Sequence, residues 1–218
     1  QTQLQVFGPE GVAEVAQGLN MAYRLDSTYR IAHHGPATVP PGGFGLAATA
    51  IGPGVVYDKG GVKITAFLVN HAPISPAFGY RIDFGGHSVT LSGDTAPTPS
   101  LVAAAKGSDM LVSEVISYPM VQAIRDASAK AGQPGRAKIM NDILNYHTRP
   151  EAAADMAKAA GVKLLAFSHV VPSIPRFMEG AFEGDADKHF AGPIWIMRDG
   201  DLVSIGAGGK AERSNLIR

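Results

Sequence analysis

The sequence predicts a mixed α/β fold, and the order of its apolar segments supports this prediction. Residues 55–91 hold several short apolar or alternating segments separated by tight turns, which indicates an antiparallel meander. After Asp94, strand-like apolar segments alternate with helical ones, as in a sheet whose strands are connected by helices. The antiparallel first part argues against a doubly wound nucleotide-binding fold.

The composition limits the class of protein. Of 218 residues, 45% are hydrophobic and 17% are charged, which excludes a disordered chain. Basic and acidic residues number 19 each, so no overall positive field attracts nucleic acid. Because the chain has no cysteine, any metal ion must be bound by His, Asp or Glu, and 7 histidines are present. No apolar run reaches the roughly 18 to 20 residues that cross a bilayer, so we predict no membrane segment.

The first 54 residues predict a strand, a helix and a long irregular segment. Residues 3–7 alternate between polar and apolar, as in a half-buried strand, and residues 12–19 place apolar side chains on one helical face. Residues 20–54 have little periodicity and are expected to form an irregular loop or insert. We expect a single domain over residues 1–218 that contains this insert. The start without Met and the lack of cysteine favour a bacterial periplasmic or exported location.

The rest of the chain supplies the strands and helices of the predicted sheet. The expected strands are 55–57, 62–69, 78–84, 88–91, 110–113 and 163–167, followed by a closing hairpin of 194–197 with 202–205. The expected helices are 99–105, 118–131 and one that begins near His147 and ends at Ala160. For this last helix, Thr148 is the predicted N-cap, Pro150 a first-turn residue and Glu151 the partner in a capping box.

Four polar residues follow the ends of these strands. They are His71, Asp94, Glu114 and His169. Gly93 allows the sharp turn that would direct the Asp94 carboxylate away from its strand. If the strand ends are neighbours in one sheet, the four side chains converge. Two imidazoles and a carboxylate suit Zn²⁺, and also Mn²⁺ or Fe²⁺, and a carboxylate can bridge two ions about 3.5 to 4 Å apart.

Five segments, taken in order, resemble the metallo-β-lactamase superfamily, and in particular its ribonuclease Z and arylsulfatase-like branch. They are Gly8-Pro9-Glu10-Gly11, His71-Ala72-Pro73 before Gly79-Tyr80-Arg81, Ser92-Gly93-Asp94-Thr95 with the strand that ends at Glu114, His147-Thr148-Arg149-Pro150-Glu151, and Phe167-Ser168-His169. The order of these segments, spread over residues 6–205, is more specific than any one of them.

The resemblance implies an αββα sandwich with two divalent metal ions at one edge of its sheets, zinc first and Mn or Fe as alternatives. In that arrangement His71 binds one metal, His169 binds the other, and Asp94 bridges them. A hydroxide between the two metals attacks a phosphorus, sulfur or carbonyl centre. His147 protonates the leaving oxygen, and Glu114 orients His147.

The sequence departs from this family at one motif. The family signature His-x-His-x-Asp-His supplies many of its metal ligands, yet no two histidines of this chain are separated by one residue. In the family this motif precedes the turn at residues 8–11. We therefore expect this chain to be the larger, C-terminal part of the fold, with the first strands and the other ligands on a preceding segment of the same or another chain. A degenerate relative is the alternative, and a homodimer is compatible with either.

The expected substrate is a small ester, either a phosphodiester or an aryl sulfate. Ribonuclease Z enzymes carry an extended arm that grips tRNA, and residues 20–54 are a plausible place for such an insertion. This segment holds no Lys and only Arg24 and Arg30. Such a segment contacts phosphates poorly, so nucleic acid is disfavoured without being excluded. One alternative is a lactonase or β-lactamase-type hydrolase, which the Thr-Arg-Pro-Glu setting of His147 disfavours. The other is a non-catalytic binding domain, if no N-terminal metal motif exists.

Overall fold

A computed structural model describes residues 2–217. The chain divides into two compact units, Gln1–Gly52 and Pro53–Arg218. The single domain expected for residues 1–218 stays a prediction.

The first unit contains two helices and a small parallel sheet. Its elements are β1 (Leu4–Gly8), α1 (Val12–Ala22), α2 (Arg24–His34) and β2 (Leu46–Ala50). β1 and β2 pair in parallel, with Leu4 opposite Leu46. The side chain of Asn20 fastens α1 to this sheet, since it accepts from the Leu46 N–H at 2.7 Å and donates to the Leu46 carbonyl at 3.0 Å.

The segment from 20 to 54, which was expected to be irregular, therefore contains a helix and a strand. α2 has a largely polar sequence and is exposed or half-exposed along its whole length, so no buried apolar face indicates it. β2 pairs with a strand some 40 residues earlier in the chain, and such non-local pairing leaves no local periodic pattern.

The second unit is built on a seven-stranded sheet with the strand order β3-β4-β5-β6-β7-β8-β9. These strands are β3 (Gly54–Lys59), β4 (Val62–His71), β5 (Ile74–Phe84), β6 (His87–Leu91), β7 (Met110–Ile116), β8 (Leu164–Val171) and β9 (Ile194–Ile196). β3 to β6 pair antiparallel, which confirms the predicted meander. β6 to β9 pair in parallel, so the carboxyl ends of β6, β7 and β8 lie at one edge of the sheet.

Helices cover one face of this sheet. The helices of the second unit are α3 (Pro99–Ala104), α4 (Tyr118–Lys130), α5 (Pro134–Asp142), α6 (Pro150–Ala160), α7 (Glu179–Glu183) and α8 (Ala186–His189). α6 buries Ala153, Ala157 and Ala160 at helical spacing, and these small side chains let the helix lie close to the sheet. They pack in one cluster with Leu111 and Phe167 of the central strands, both of which are fully buried.

The other face carries a second, two-stranded sheet of β10 (Asp201–Ile205) and β11 (Ala211–Asn215). Val203 and Ile205 of β10 pack with Trp195 against buried residues of β7 and β8. The predicted closing hairpin of 194–197 with 202–205 is wrong. β9 instead pairs in parallel with the buried apolar strand β8 and extends the central sheet. β10 pairs antiparallel with β11.

The start of α6 also differs in detail from the prediction. Pro150 is in the first turn as predicted, but the N-cap is Arg149, with no side-chain cap hydrogen bond. Thr148 lies one residue earlier, and its hydroxyl donates instead to the Thr95 carbonyl at 2.6 Å. A tertiary contact has thus replaced the local cap. The mixed α/β class is confirmed, and among residues 2–217 no helix is both long and apolar enough to span a membrane.

Candidate metal centre

Three side chains meet at the carboxyl edge of the parallel strands. Asp94, His147 and His169 each offer a ligand atom, and these atoms all lie within 4.8 Å of one another. His169 Nε2 lies 3.7 Å from Asp94 Oδ2. The side chains of Asp94 and His169 are 42% and 51% exposed, whereas that of His147 is only 7% exposed. The group therefore has a buried side and a side open to solvent.

The turn after β6 fixes the position of Asp94. Gly93 has a φ of +63°, and a Cβ at this position would lie 2.5 Å from the Phe78 carbonyl oxygen. Only glycine fits such a left-handed turn against a neighbouring strand. The preceding Ser92 accepts a hydrogen bond from the Glu114 N–H at 3.0 Å and donates to the Gly93 carbonyl at 2.6 Å. Asp94 is thus tied to the end of β7.

An irregularity in β8 directs His169. Glu114 pairs with Ser168 and Val115 pairs with Val170, so His169 is an extra residue in the ladder between β7 and β8. Its φ of +46° lies in the left-handed region, which is uncommon for a residue with a side chain. A bulge of this kind redirects a side chain from the face of a sheet. Here it leaves the imidazole beside Asp94, and the strain is stored at the candidate site.

Glu114 holds His147 from the buried side. Its Oε2 lies 3.0 Å from His147 Nδ1, and its Oε1 accepts from the N–H groups of Thr148 at 2.8 Å and Thr95 at 3.3 Å. With Nδ1 donating to the carboxylate, Nε2 is the nitrogen left for chemistry. Burial lowers the pKa of His147, but the hydrogen bond and charge of Glu114, together with the charge of Asp94, outweigh it and raise the pKa above its usual value.

His71 lies beside this group without being part of it. It ends β4 after a shift in the pairing with β5, and its ring centroid is 5.4 Å from that of His147. Its Nδ1 donates to the Tyr146 carbonyl at 3.3 Å, which leaves Nε2 as its free nitrogen. The ring of Tyr146 packs edge-on against His71, with centroids 4.9 Å apart.

The structure thus brings together all five residues expected at the site, with one difference in arrangement. His147, expected as the proton donor, lies in the compact group, whereas His71, expected as a ligand, lies next to it. Their separate roles stay predictions. Sequence reasoning missed Tyr146 and Thr95, which join the ends of β4, β6 and the segment before α6. Neither residue type points to chemistry by itself, and the contacts that join these segments, Asn70 N–H to the Thr95 hydroxyl and His71 Nδ1 to the Tyr146 carbonyl, are between residues far apart in the sequence.

The donor set of the group fits a divalent metal ion. A carboxylate and two imidazoles are ligands that zinc, manganese and iron share. Glu114 acts on His147 as an outer carboxylate that fixes the ring and its tautomer, and metal-binding histidines have such partners. The same contact also suits a proton donor, so the donor set alone does not assign His147 to one role.

Comparison with known proteins defines the class. Residues 1–170 match the family model described as the beta-lactamase superfamily domain. The chain therefore belongs to the metallo-β-lactamase superfamily, a group of metal-dependent hydrolases, and the family predicted from the five segments is confirmed.

Within that class the chain is similar to ribonuclease Z proteins. It is 34% identical to ribonuclease Z of Mycobacterium marinum over 204 residues, which are 94% of this chain and 68% of that protein. It is 36% identical to a putative ribonuclease Z of Mycobacterium tuberculosis over 202 residues, which are 93% of this chain and 84% of that protein.

Solved structures show the same fold at lower identity. The metallo-beta-lactamase fold protein YhfI from Bacillus subtilis matches 97% of this chain and 66% of its own, with a TM-score of 0.59 and 20% identity. The short form of human tRNase Z matches 91% of this chain and 66% of its own, with a TM-score of 0.54 and 14% identity. The chain thus spans about two thirds of the length of these structures.

Proposed function

We propose that this chain forms the catalytic part of a metal-dependent phosphodiesterase that acts on RNA. The observation that carries the proposal is the group of Asp94, His147 and His169, with Glu114 hydrogen bonded behind His147. The name ribonuclease Z, shared by relatives that are 34% to 36% identical over most of the chain, supports a phosphodiester in RNA as the bond that is cleaved.

This substrate differs from the small ester expected from the sequence. The similar proteins give no support to an aryl sulfate, and their names favour RNA over a small molecule. The expectation rested on a net charge of zero for the whole chain and on the few basic residues of the segment from 20 to 54. Neither property describes the surface around Asp94, so neither argues against phosphate contacts there.

Asp94 and His169 are the residues that would hold a metal ion, and His71 is the further candidate ligand. An ion bound there supplies Lewis-acid activation of water and neutralises charge on a phosphoryl group. Because the side chains of Asp94 and His169 are about half exposed, a phosphodiester can approach them from solvent. Two ions, with zinc as the first choice, remain part of the proposal.

His147 is the proton donor in this mechanism. Its Nδ1 is engaged by Glu114, so Nε2 is free to protonate the leaving oxygen. The hydrogen bond and the charge of Glu114 act to raise the pKa of His147, which favours the protonated imidazole that a proton donor needs. Glu114 is a positioning residue, since the backbone N–H groups of Thr95 and Thr148 hold its carboxylate in place.

A panel of substrates tests the proposal. Protein expressed from its complete reading frame and loaded with zinc or manganese is assayed with single-stranded RNA, bis-p-nitrophenyl phosphate, p-nitrophenyl sulfate and nitrocefin. We expect hydrolysis of the first two only, and its loss in Asp94→Asn. Turnover of the sulfate or of nitrocefin instead of the diesters would assign a different class of hydrolase. No turnover of any substrate, with no bound metal, would indicate a binding domain.

A further inference from the structure

A cavity of about 360 Å³ lies at the beginning of α6, in the second unit. Its wall includes Tyr118, Gln122, Arg149, Glu151 and Phe182. The cavity thus combines a cation, a carboxylate, an amide and aromatic rings, and none of these side chains has a role in the proposed mechanism. Such a mixed lining is typical of a site for a small polar ligand.

Arg149 is the cation of this cavity. It is exposed, and its guanidinium lies 5.4 Å from the centroid of the Tyr118 ring. Within residues 2–217, five other arginines are paired with carboxylates: Arg30, Arg81, Arg125, Arg198 and Arg213. Arg149 has no carboxylate of the described residues within 4.0 Å. A guanidinium that is stacked on a ring and not paired is oriented to bind a phosphate with two parallel hydrogen bonds.

The cavity and the metal centre are built from the same two pieces of chain. Arg149 follows His147 by two residues, and two residues span at most about 7 Å. Tyr118 follows Glu114 by four residues, and its hydroxyl donates to the Leu144 carbonyl, which fixes the ring under Arg149. Arg149 is therefore close to His147 along the chain, and the cavity that it lines lies beside the segment that carries His147.

The carboxylate of Glu151 limits which ligands this cavity can bind. A bare phosphate or sulfate would gain from Arg149 but would be repelled by Glu151 in the same cavity. A nucleotide avoids this conflict because its phosphate can bind Arg149 while a ribose hydroxyl or an exocyclic amine donates to Glu151 or Gln122. We propose that this cavity binds the nucleotide next to the scissile phosphodiester, with Arg149 on the phosphate of that nucleotide. The proposal rests on the proposed function and extends it to a substrate subsite.

Binding measurements test this subsite apart from catalysis. The probe is a fluorescein-labelled adenosine hexamer with phosphorothioate linkages, which hydrolyse slowly and keep both the charge and the ribose 2′-hydroxyls. It is titrated with metal-loaded protein at several salt concentrations, and a gel checks that it stays intact. We expect Arg149→Ala to weaken binding about tenfold and to reduce the slope of log K against log salt by about 0.7. Arg149→Lys should keep the slope but bind more weakly than the wild type, since it retains the charge and loses the planar fork. Arg136→Ala, an exposed arginine of α5, is the matched control and should change neither quantity.

Turnover of bis-p-nitrophenyl phosphate separates the two proposals, because this diester has no neighbouring nucleotide. We expect Arg149→Ala to lower kcat/KM for this diester by a smaller factor than it lowers the affinity for the hexamer. If the wild type and Arg149→Ala bind the hexamer with equal affinity and slope, or if the wild type does not bind it, the subsite is wrong whatever the enzyme hydrolyses. If the diester is not hydrolysed by the wild type but the Arg149 effects on binding are seen, the cavity binds a nucleotide through Arg149 and it is the proposed function that fails.

Discussion

Glu114 Oε2 lies 3.0 Å from His147 Nδ1, and the two side chains are only 3% and 7% exposed. A buried carboxylate is costly unless its oxygens have partners, and Glu114 has three, of which two are backbone N–H groups. The backbone contacts fix the carboxylate, and the carboxylate fixes the imidazole. His147 is therefore held with Nε2 as its only free nitrogen, whether that nitrogen donates a proton or binds a metal.

The two roles of His147 can be separated by substitution. We expect His147→Ala to lower kcat for single-stranded RNA, whose leaving alkoxide needs a proton, by about 10²- to 10⁴-fold, the usual contribution of a general acid, while the bound metal is retained. Metal content is measured by atomic emission on the purified variant. His189→Ala, which removes an exposed histidine that pairs with Asp155 outside the group, is the control and should leave both quantities unchanged. Loss of metal together with turnover would make His147 a ligand rather than the acid.

Gly93 sets the position of Asp94. Comparing alanine substitutions at Gly93 and at Gly107 separates this effect from the general cost of replacing a glycine. Gly93 and Gly107 are both exposed with similar φ values, +63° and +67°, but only at Gly93 does a Cβ meet another atom, the Phe78 carbonyl oxygen. We expect Gly107→Ala to cost about 1 kcal/mol for the left-handed conformation alone. Gly93→Ala should cost at least about 1 kcal/mol more and also lower turnover, because Asp94 must shift. Urea unfolding gives the free energies, and equal losses in the two variants would contradict this role for Gly93.

Asp201 is expected to stabilise the fold at neutral pH but not in acid. Burial raises its pKa, but hydrogen bonds from Asn215, Arg213 and the Arg198 N–H outweigh burial and lower the pKa to about 2. A lowered pKa stabilises the fold above the unfolded value near 3.8, and this stabilisation is lost as pH falls through about 2. We expect Asp201→Asn to lower the free energy of unfolding by about 2 kcal/mol at pH 7.

The pH dependence provides the check on that value. The difference in unfolding free energy between the wild type and Asp201→Asn should be constant from pH 7 to about 4 and should shrink toward zero near pH 2. Asp199→Asn, at an exposed position two residues away, serves as the control and should stay within about 0.5 kcal/mol of the wild type. A difference that does not depend on pH would show that the carboxylate charge of Asp201 is not the cause.

The parts of the fold that the sequence predicted correctly are those with strong local patterns. The strands around residues 55–91 alternate and two of their three connections are glycine turns, and β7 and β8 are apolar runs that lead to Glu114 and His169. The elements that were missed depend on non-local contacts. β9 and β10 look like a hairpin in the sequence, but each pairs elsewhere. α5 has no buried residue, so no apolar face indicates it.

The candidate site was predicted by residue but not by geometry. Asp94 and His169 could be selected because each follows an apolar strand. The bulge that turns His169 outward is a property of the pairing between β7 and β8, and no local pattern encodes it. For the same reason the sequence did not show that His147, and not His71, would form the compact group with Asp94 and His169.

Restoration of activity by metal tests the central claim most directly. Protein is stripped with a chelator, and hydrolysis of bis-p-nitrophenyl phosphate is followed as zinc or manganese is added, with bound metal measured in parallel. We expect no turnover without metal, recovery in proportion to the metal bound, and no recovery in Asp94→Ala, which should also bind less metal. Turnover by the stripped wild type, or wild-type metal binding and activity in Asp94→Ala, would contradict a metal-dependent hydrolase built on Asp94 and His169.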